Sequence, residues 1–141
     1  MNSLINPILE PYRLITLDVH KDLWMTSNQR KHWTDNSKRA NRLRTLADFK
    51  AQVHRTPKIT EPIWLHADIG MPTRRRFDPP NAWPTVKPII DGLVLAGIFK
   101  DDDSKWIPYT SFGRDHTKPA PGHYRITLYA IPESSEIYVP F

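Results

Sequence analysis

Ile63-Trp64-Leu65-His66-Ala67-Asp68-Ile69-Gly70-Met71 alternates along its length. Ile63, Leu65, Ala67, Ile69 and Met71 fall on one side of an extended chain, and Trp64, His66 and Asp68 on the other. That is the period-two pattern of a strand with one buried face. On this reading His66 points to solvent or to a neighbouring side chain. Two further stretches repeat the pattern. Tyr12 to Val19 sets Ile15, Leu17 and Val19 against Thr16 and Asp18, and a last strand alternates through Tyr124, Ile126, Leu128 and Ala130. The segments between them follow helical spacing. Thr34-Asp35-Asn36-Ser37 offers N-cap chemistry; Ala40, Leu43, Leu46, Ala47 and residues 50–53 then line one face, with Lys38, Arg39, Arg42 and Arg44 opposite. This predicts a helix from about Lys38 to His54, ended before Pro57. Val86, Ile89, Ile90, Leu93, Val94 and Ala96 form a second apolar stripe, a helix from about Val86 to Ala96 with Thr85 as its cap, Pro88 in its first turn and Gly97 at its end.

The remaining chain reads as connections. Lys21 to Trp33 is an irregular polar and aromatic loop, a short strand is expected over Lys105 to Tyr109, and a Gly/Pro-rich loop runs from Gly113 to Gly122. The order β-α-β-α-β-β predicts an α+β fold, with two main helices packed on one small mixed sheet. Residues 1–11 form an arm and 132–141 a tail of a single domain spanning 1–141.

Composition narrows the function classes. The chain has 141 residues, the size of one domain, and its 14 prolines are spread along it, so they punctuate segments and do not mark a disordered tract. No apolar run approaches the ~20 residues of a membrane span, and the start lacks the pattern of a secretory signal. Cysteine is absent, which excludes disulfides, thiolate metal sites and cysteine nucleophiles and suits a reducing compartment. No GxSxG, HExxH or phosphate-cradling glycine loop occurs, so serine-triad and nucleotide chemistry have no support. Twenty basic against 15 acidic residues give a net charge of +5, the balance of a chain that meets a polyanion.

Within that basic chain a few acidic residues are placed where a cation would have to bridge them to phosphate. Asp101-Asp102-Asp103 lies between helix and strand, and Asp78 follows Arg74-Arg75-Arg76 with only Phe77 between. As a lone run the three aspartates are a solvated turn; beside arginines they read as hard oxygen ligands for Mg²⁺ or Mn²⁺ at a phosphodiester. Lys87 stands four residues before Asp91 on one helical face, either a local ion pair or a lysine that meets developing phosphate charge. Asn28-Gln29-Arg30-Lys31-His32-Trp33 mixes amide, basic and aromatic groups, a set suited to DNA backbone and exposed bases.

Arg74-Arg75-Arg76-Phe77-Asp78, Asn81, Lys87, Asp91-Gly92-Leu93, Ala96-Gly97 and Asp101-Asp102 together resemble the RusA family of Holliday junction resolvases, enzymes typical of phage and prophage. Ser27-Asn28-Gln29-Arg30 resembles that family's early Ser-Asn-Asn-Arg loop. The likeness covers residues 12–131 in element order and is specific over 74–103. It implies a homodimeric, Mg²⁺- or Mn²⁺-dependent endonuclease for four-way DNA junctions, working in the cytoplasm (the host's, if phage-encoded), without membrane or nucleotide cofactor. It implies Asp78, Asp102 and Lys87 as catalytic residues, Asp78 and Asp102 as metal ligands with Asp91, Asp101 or Asp103 recruited, and Arg74, Arg75, Arg76, Arg30, Lys31 and Asn28 on DNA. Pro80 stands where the family has a second aspartate, and three extra residues separate Asn81 from Lys87. The alternative is a DNA-binding module of the same fold without catalysis, or a nuclease for forks and flaps.

Overall fold

The computed structural model describes residues 11–29 and 33–138, so the arm up to residue 10, residues 30–32 and the last three residues of the tail lie outside it. The element order is β1 (Tyr12–His20), α1 (Trp33–Val53), β2 (Ile63–Gly70), α2 (Trp83–Leu95), β3 (Tyr109–Asp115) and β4 (His123–Pro132). The strands form one mixed sheet in the order β1-β4-β2-β3. β4 runs antiparallel to both β1 and β2, and β3 lies parallel to β2 across the α2 connection. The α+β class expected from the alternation is the class observed.

The alternation of β2 carries the architecture. Ile63, Leu65, Ala67 and Ile69 are fully buried, and Ile126, Leu128 and Ala130 of β4 and Leu17 and Val19 of β1 join them in the core. Against that layer lie Leu43 and Ala47 of α1 and Val86, Ile89 and Leu93 of α2. Each large aliphatic side chain so placed contributes about 1.5–3 kcal/mol. The other face of the sheet is polar. There Trp64 donates its indole N–H to Ser111 (2.6 Å), and His66 joins Ser111 (2.7 Å) to Asp68 (2.7 Å) through its two ring nitrogens, so His66 does point to neighbours. Gly113 makes room for this pair, since a Cβ there would lie 2.9 Å from the Asp68 carboxylate.

Four expectations need correction. α1 starts at Trp33, so Thr34 to Ser37 lie inside it and do not cap it; Asp35 sits in the first turn, where the helix dipole favours an acid. Leu46 and Val53, assigned to the inward stripe, are 40% and 59% exposed, because the buried contact of α1 is a narrower row of Leu43, Ala47 and Ala51. α2 starts at Trp83 after a 3₁₀ turn over Pro79–Ala82, with a proline in its first turn. Thr85 is therefore a buried helical residue whose hydroxyl accepts from the Met25 amide (2.8 Å) and donates to the Met25 carbonyl (2.7 Å), and Pro88 falls inside the helix. The expected strand over 105–109 is instead a turn: the Asp103 carbonyl accepts from the amides of Trp106 (3.1 Å) and Ile107 (2.9 Å), and β3 begins only after Pro108 and runs through Gly113. Gly97 ends α2 as expected. It adopts φ +80°, its amide reaches the Val94 carbonyl (2.9 Å), and the Ile98 amide reaches that of Leu93 (2.9 Å).

No described helix is long and apolar enough to cross a membrane. The two helices meet closely at Gly92, where a Cβ would stand 2.5 Å from the Arg44 carbonyl oxygen and 2.7 Å from Ala47 Cβ. Gly92→Ala would force the helices apart and should lower the unfolding free energy by about 2–3 kcal/mol in urea denaturation. A change below about 0.5 kcal/mol would mean that the helices separate without cost.

Candidate functional site

Lys87 and Asp91 project from one face of α2 on successive turns, and the Lys87 ammonium donates to Asp91 at 2.6 Å. The turn at Gly97 sends the chain back, and the Ile98 carbonyl is held by the Ile59 amide (2.8 Å). Beyond it, Asp102 comes to the same ammonium and accepts a second hydrogen bond from Lys87. Two carboxylates from separate segments thus converge on one cation. Arg44 of α1 stands near Asp91 at 4.0 Å, carried there by the close helix approach at Gly92. The neighbouring aspartates have local backbone roles. Asp101 accepts the Asp102 amide (2.8 Å) and Asp103 accepts the Lys105 amide (3.0 Å). Asp91 meets Asp102 on the shared Lys87 ammonium, and the Asp101 side chain also lies against Asp102.

Partial burial acts to lower the Lys87 pKa, but the hydrogen bonds to Asp102 and Asp91 outweigh it and hold the ammonium above its usual value. The hydrogen bond from Lys87 in turn holds the Asp102 carboxyl below the usual carboxylate range, against the effect of partial burial. The side chains are 41% and 21% exposed, so the pair contributes at most about 1 kcal/mol of stability.

A second group of candidates lies around the connection from β2 to α2. Arg74, Arg75 and Arg76 are exposed there, and Asp78 follows with its carbonyl accepting from the Asn81 amide (2.9 Å). Arg75, Arg76, Asp78 and Asn28 line a concavity of about 390 Å³, backed by Trp24 and Tyr124, whose rings stack in parallel 4.0 Å apart. The segment bearing Asn28 is tied to the start of α2 at two points, by the Thr85–Met25 pair and by the Ser27 amide on the Asn81 carbonyl (2.9 Å). Arg114 of β3 donates to the carbonyls of Arg75 (2.8 Å) and Thr73 (3.1 Å), which fixes the arginine loop to the sheet.

Among the described residues, no three histidine or acidic side chains come together as a metal-holding group, and Asp78 is not brought to the Asp91–Asp102 pair. Lys87 takes Asp91 Oδ1 and Asp102 Oδ2, so a small hard cation would have the other oxygen of each carboxylate, a set that fits Mg²⁺, which is held by one or two carboxylates completed by water and substrate phosphate. Lys87 places a positive charge where the two carboxylates meet. Arg30 and Lys31 lie outside the described residues. Sequence patterning does not single out Arg44, Arg114 or Tyr124 for this region. Arg44 belongs by spacing to the outward basic face of α1, and only the small residues at the Ala47–Gly92 approach signal its place.

No protein-family model matches the chain, and no curated protein matches it.

The pH dependence of stability follows from the two shifts. Asp102, with its pKa depressed on folding, contributes fully above the unfolded value near 3.9, and the contribution is lost as pH falls through the folded value. Lys87, with its pKa raised, contributes fully below about 10.4 and loses its share as pH rises through the folded value. The stability difference between wild type and Asp102→Asn should therefore be flat between about pH 5 and 9 and should shrink below about pH 4. Urea titrations at each pH test this, and a difference that does not shrink at all as pH falls from about 5 into the acid range would remove the ion pair as its source.

Proposed function

We propose that this chain is a Mg²⁺- or Mn²⁺-dependent, structure-selective endonuclease that cuts branched DNA, with the four-way junction as substrate and a homodimer as the working form. One observation carries the reading. Asp91 and Asp102, from two segments, are brought together on the Lys87 ammonium, each through one oxygen, which leaves the other oxygen of each carboxylate for a metal ion, in a basic chain that also bears an exposed run of three arginines. A divalent ion held by that pair would supply activated water and stabilise charge on the phosphate when bound.

The chain's own residues account for the rest. Lys87, already charged and directed between the carboxylates, stays protonated and offsets charge that develops on the phosphate oxygens. Arg74, Arg75 and Arg76 hold the DNA backbone, together with Arg30, Lys31 and Asn28. Asp78 follows these arginines and joins the acidic set when DNA or a second copy brings a phosphate to it. A four-way junction has near two-fold symmetry, so paired cuts require two sites related by the same symmetry.

The decisive measurement is nicking of a synthetic four-way junction in Mg²⁺, set beside gel retardation. Asp91→Asn and Asp102→Asn should each reduce nicking by about 100-fold or more while retaining binding, because a charge needed at the ion is removed. Asp78→Asn should also reduce it, and Lys87→Ala should cut the rate more than the affinity. Retardation without nicking by the wild type would make the chain a DNA-binding module. Nicking that survives in all three aspartate variants would place the chemistry elsewhere.

A further inference from the structure

We propose that the loop from Thr73 to Arg76 is a divider that takes two DNA strands, one on each side, where they part at a branch. This rests on the nuclease reading and adds what feature of branched DNA the chain grips. The loop stands between two concavities. Arg75 and Arg76 line the first, about 390 Å³, with Asn28 and the stacked Trp24 and Tyr124. Arg74 lines the second, about 490 Å³, with His116 and Lys118 from the connection after β3. Three consecutive arginines are thus shared between two separate hollows, and Thr73 borders both.

The second hollow suits phosphate as much as the first. Its one lining carboxylate, Asp115, is fixed by the Thr117 amide (2.9 Å) and hydroxyl (2.7 Å) and is outnumbered by Arg74, Arg114 and Lys118, which make the local charge positive. The first hollow adds one aromatic ring to its wall, the half-buried Tyr124 that stacks on the buried Trp24, a flat group of the kind on which an unpaired base stacks. A continuous duplex meets the ridge with one face and can fill only one side. Two strands that diverge can fill both, which makes the ridge a reader of branching and not of sequence.

A divider must keep its position, and within the loop the Arg75 amide makes only a long hydrogen bond to the Thr73 hydroxyl (3.4 Å). Arg114 supplies further support. It sits opposite Ile69 in the parallel register of β2 and β3, and its guanidinium reaches both carbonyls of the loop at once. Arg114 is a positioning residue. Lysine keeps its charge but has no planar fork to hold two acceptors.

The test compares affinity for a four-way junction with that for a linear duplex of the same composition, by fluorescence anisotropy in EDTA at several salt concentrations. Lys118→Ala and Arg74→Ala should weaken junction binding about 5- to 10-fold and duplex binding less than about 2-fold, and should reduce the log–log salt slope on the junction by about 0.9 for each phosphate no longer neutralised. Arg114→Lys should lose the same preference although the net charge is unchanged, with a thermal melt to confirm the fold. Equal losses on both DNAs, or a preference that none of the three variants moves, would overturn the divider. If the wild type nicks junctions in Mg²⁺ while the preference is unmoved, the divider fails and the nuclease reading stands. If the wild type neither prefers nor nicks the junction, both fail.

Discussion

The approach of α1 to α2 at Gly92 sets the geometry of the helical layer that carries Lys87 and Asp91. With hydrogen at that position, the α2 backbone comes close to the Arg44 carbonyl and to Ala47, and the inward row of α1 is accordingly small. Two consequences reach the candidate site. The face of α2 next to this approach carries Asp91 into reach of Arg44, and the buried stripe beside it keeps Lys87 at the solvent margin, half-buried. The Gly97 turn then directs the following segment back along the helix end, so that Asp102 meets a lysine 15 residues earlier in sequence.

One ammonium decides the electrostatics of that meeting. Two carboxylates alone at such a separation would repel, and one would be pushed toward protonation. With the ammonium between them this repulsion is offset, and the Asp102 carboxyl is driven further toward ionisation. The arrangement keeps the Asp102 carboxylate charged and holds it aligned with Asp91. All three groups remain partly exposed, so water reaches the carboxylate oxygens that Lys87 does not engage.

Much of this is legible in the sequence, and for physical reasons. β2 and β4 each alternate because one face packs on helices and the other carries polar groups, so period two appears directly in the residues. Gly97 is readable because few side chains tolerate its φ. The Lys87–Asp91 pair follows from helical spacing alone. What stays hidden is long-range. Thr85 looks like a cap because threonine before an apolar stripe usually is one, but its hydroxyl is satisfied by Met25, 60 residues away. Thr34 to Ser37 look like a boundary because those side chains suit caps, yet they are also tolerated in the first turn of a helix. Leu46 and Val53 share the spacing of Leu43 and Ala47, and only the width of the helix interface separates inside from outside. Arg114 carries no local signal, since its partners are carbonyls that any residue would present.

The sheet order has a consequence for synthesis of the chain. β1 pairs only with β4, and Thr16 finds Thr127, 111 positions later. A ribosome releases Thr16 of β1 111 residues ahead of its β4 neighbour Thr127, so the first strand must wait through that stretch of synthesis with its edge unmatched. The β2-α2-β3 unit, whose contacts are closer in sequence, can assemble first, and β4 then inserts between β1 and β2 as the closing step. Late in that interval the apolar sides of Leu17 and Val19 have no cover from their eventual neighbour, which makes the interval before β4 emerges the period in which nascent chains are most exposed to one another and to chaperones.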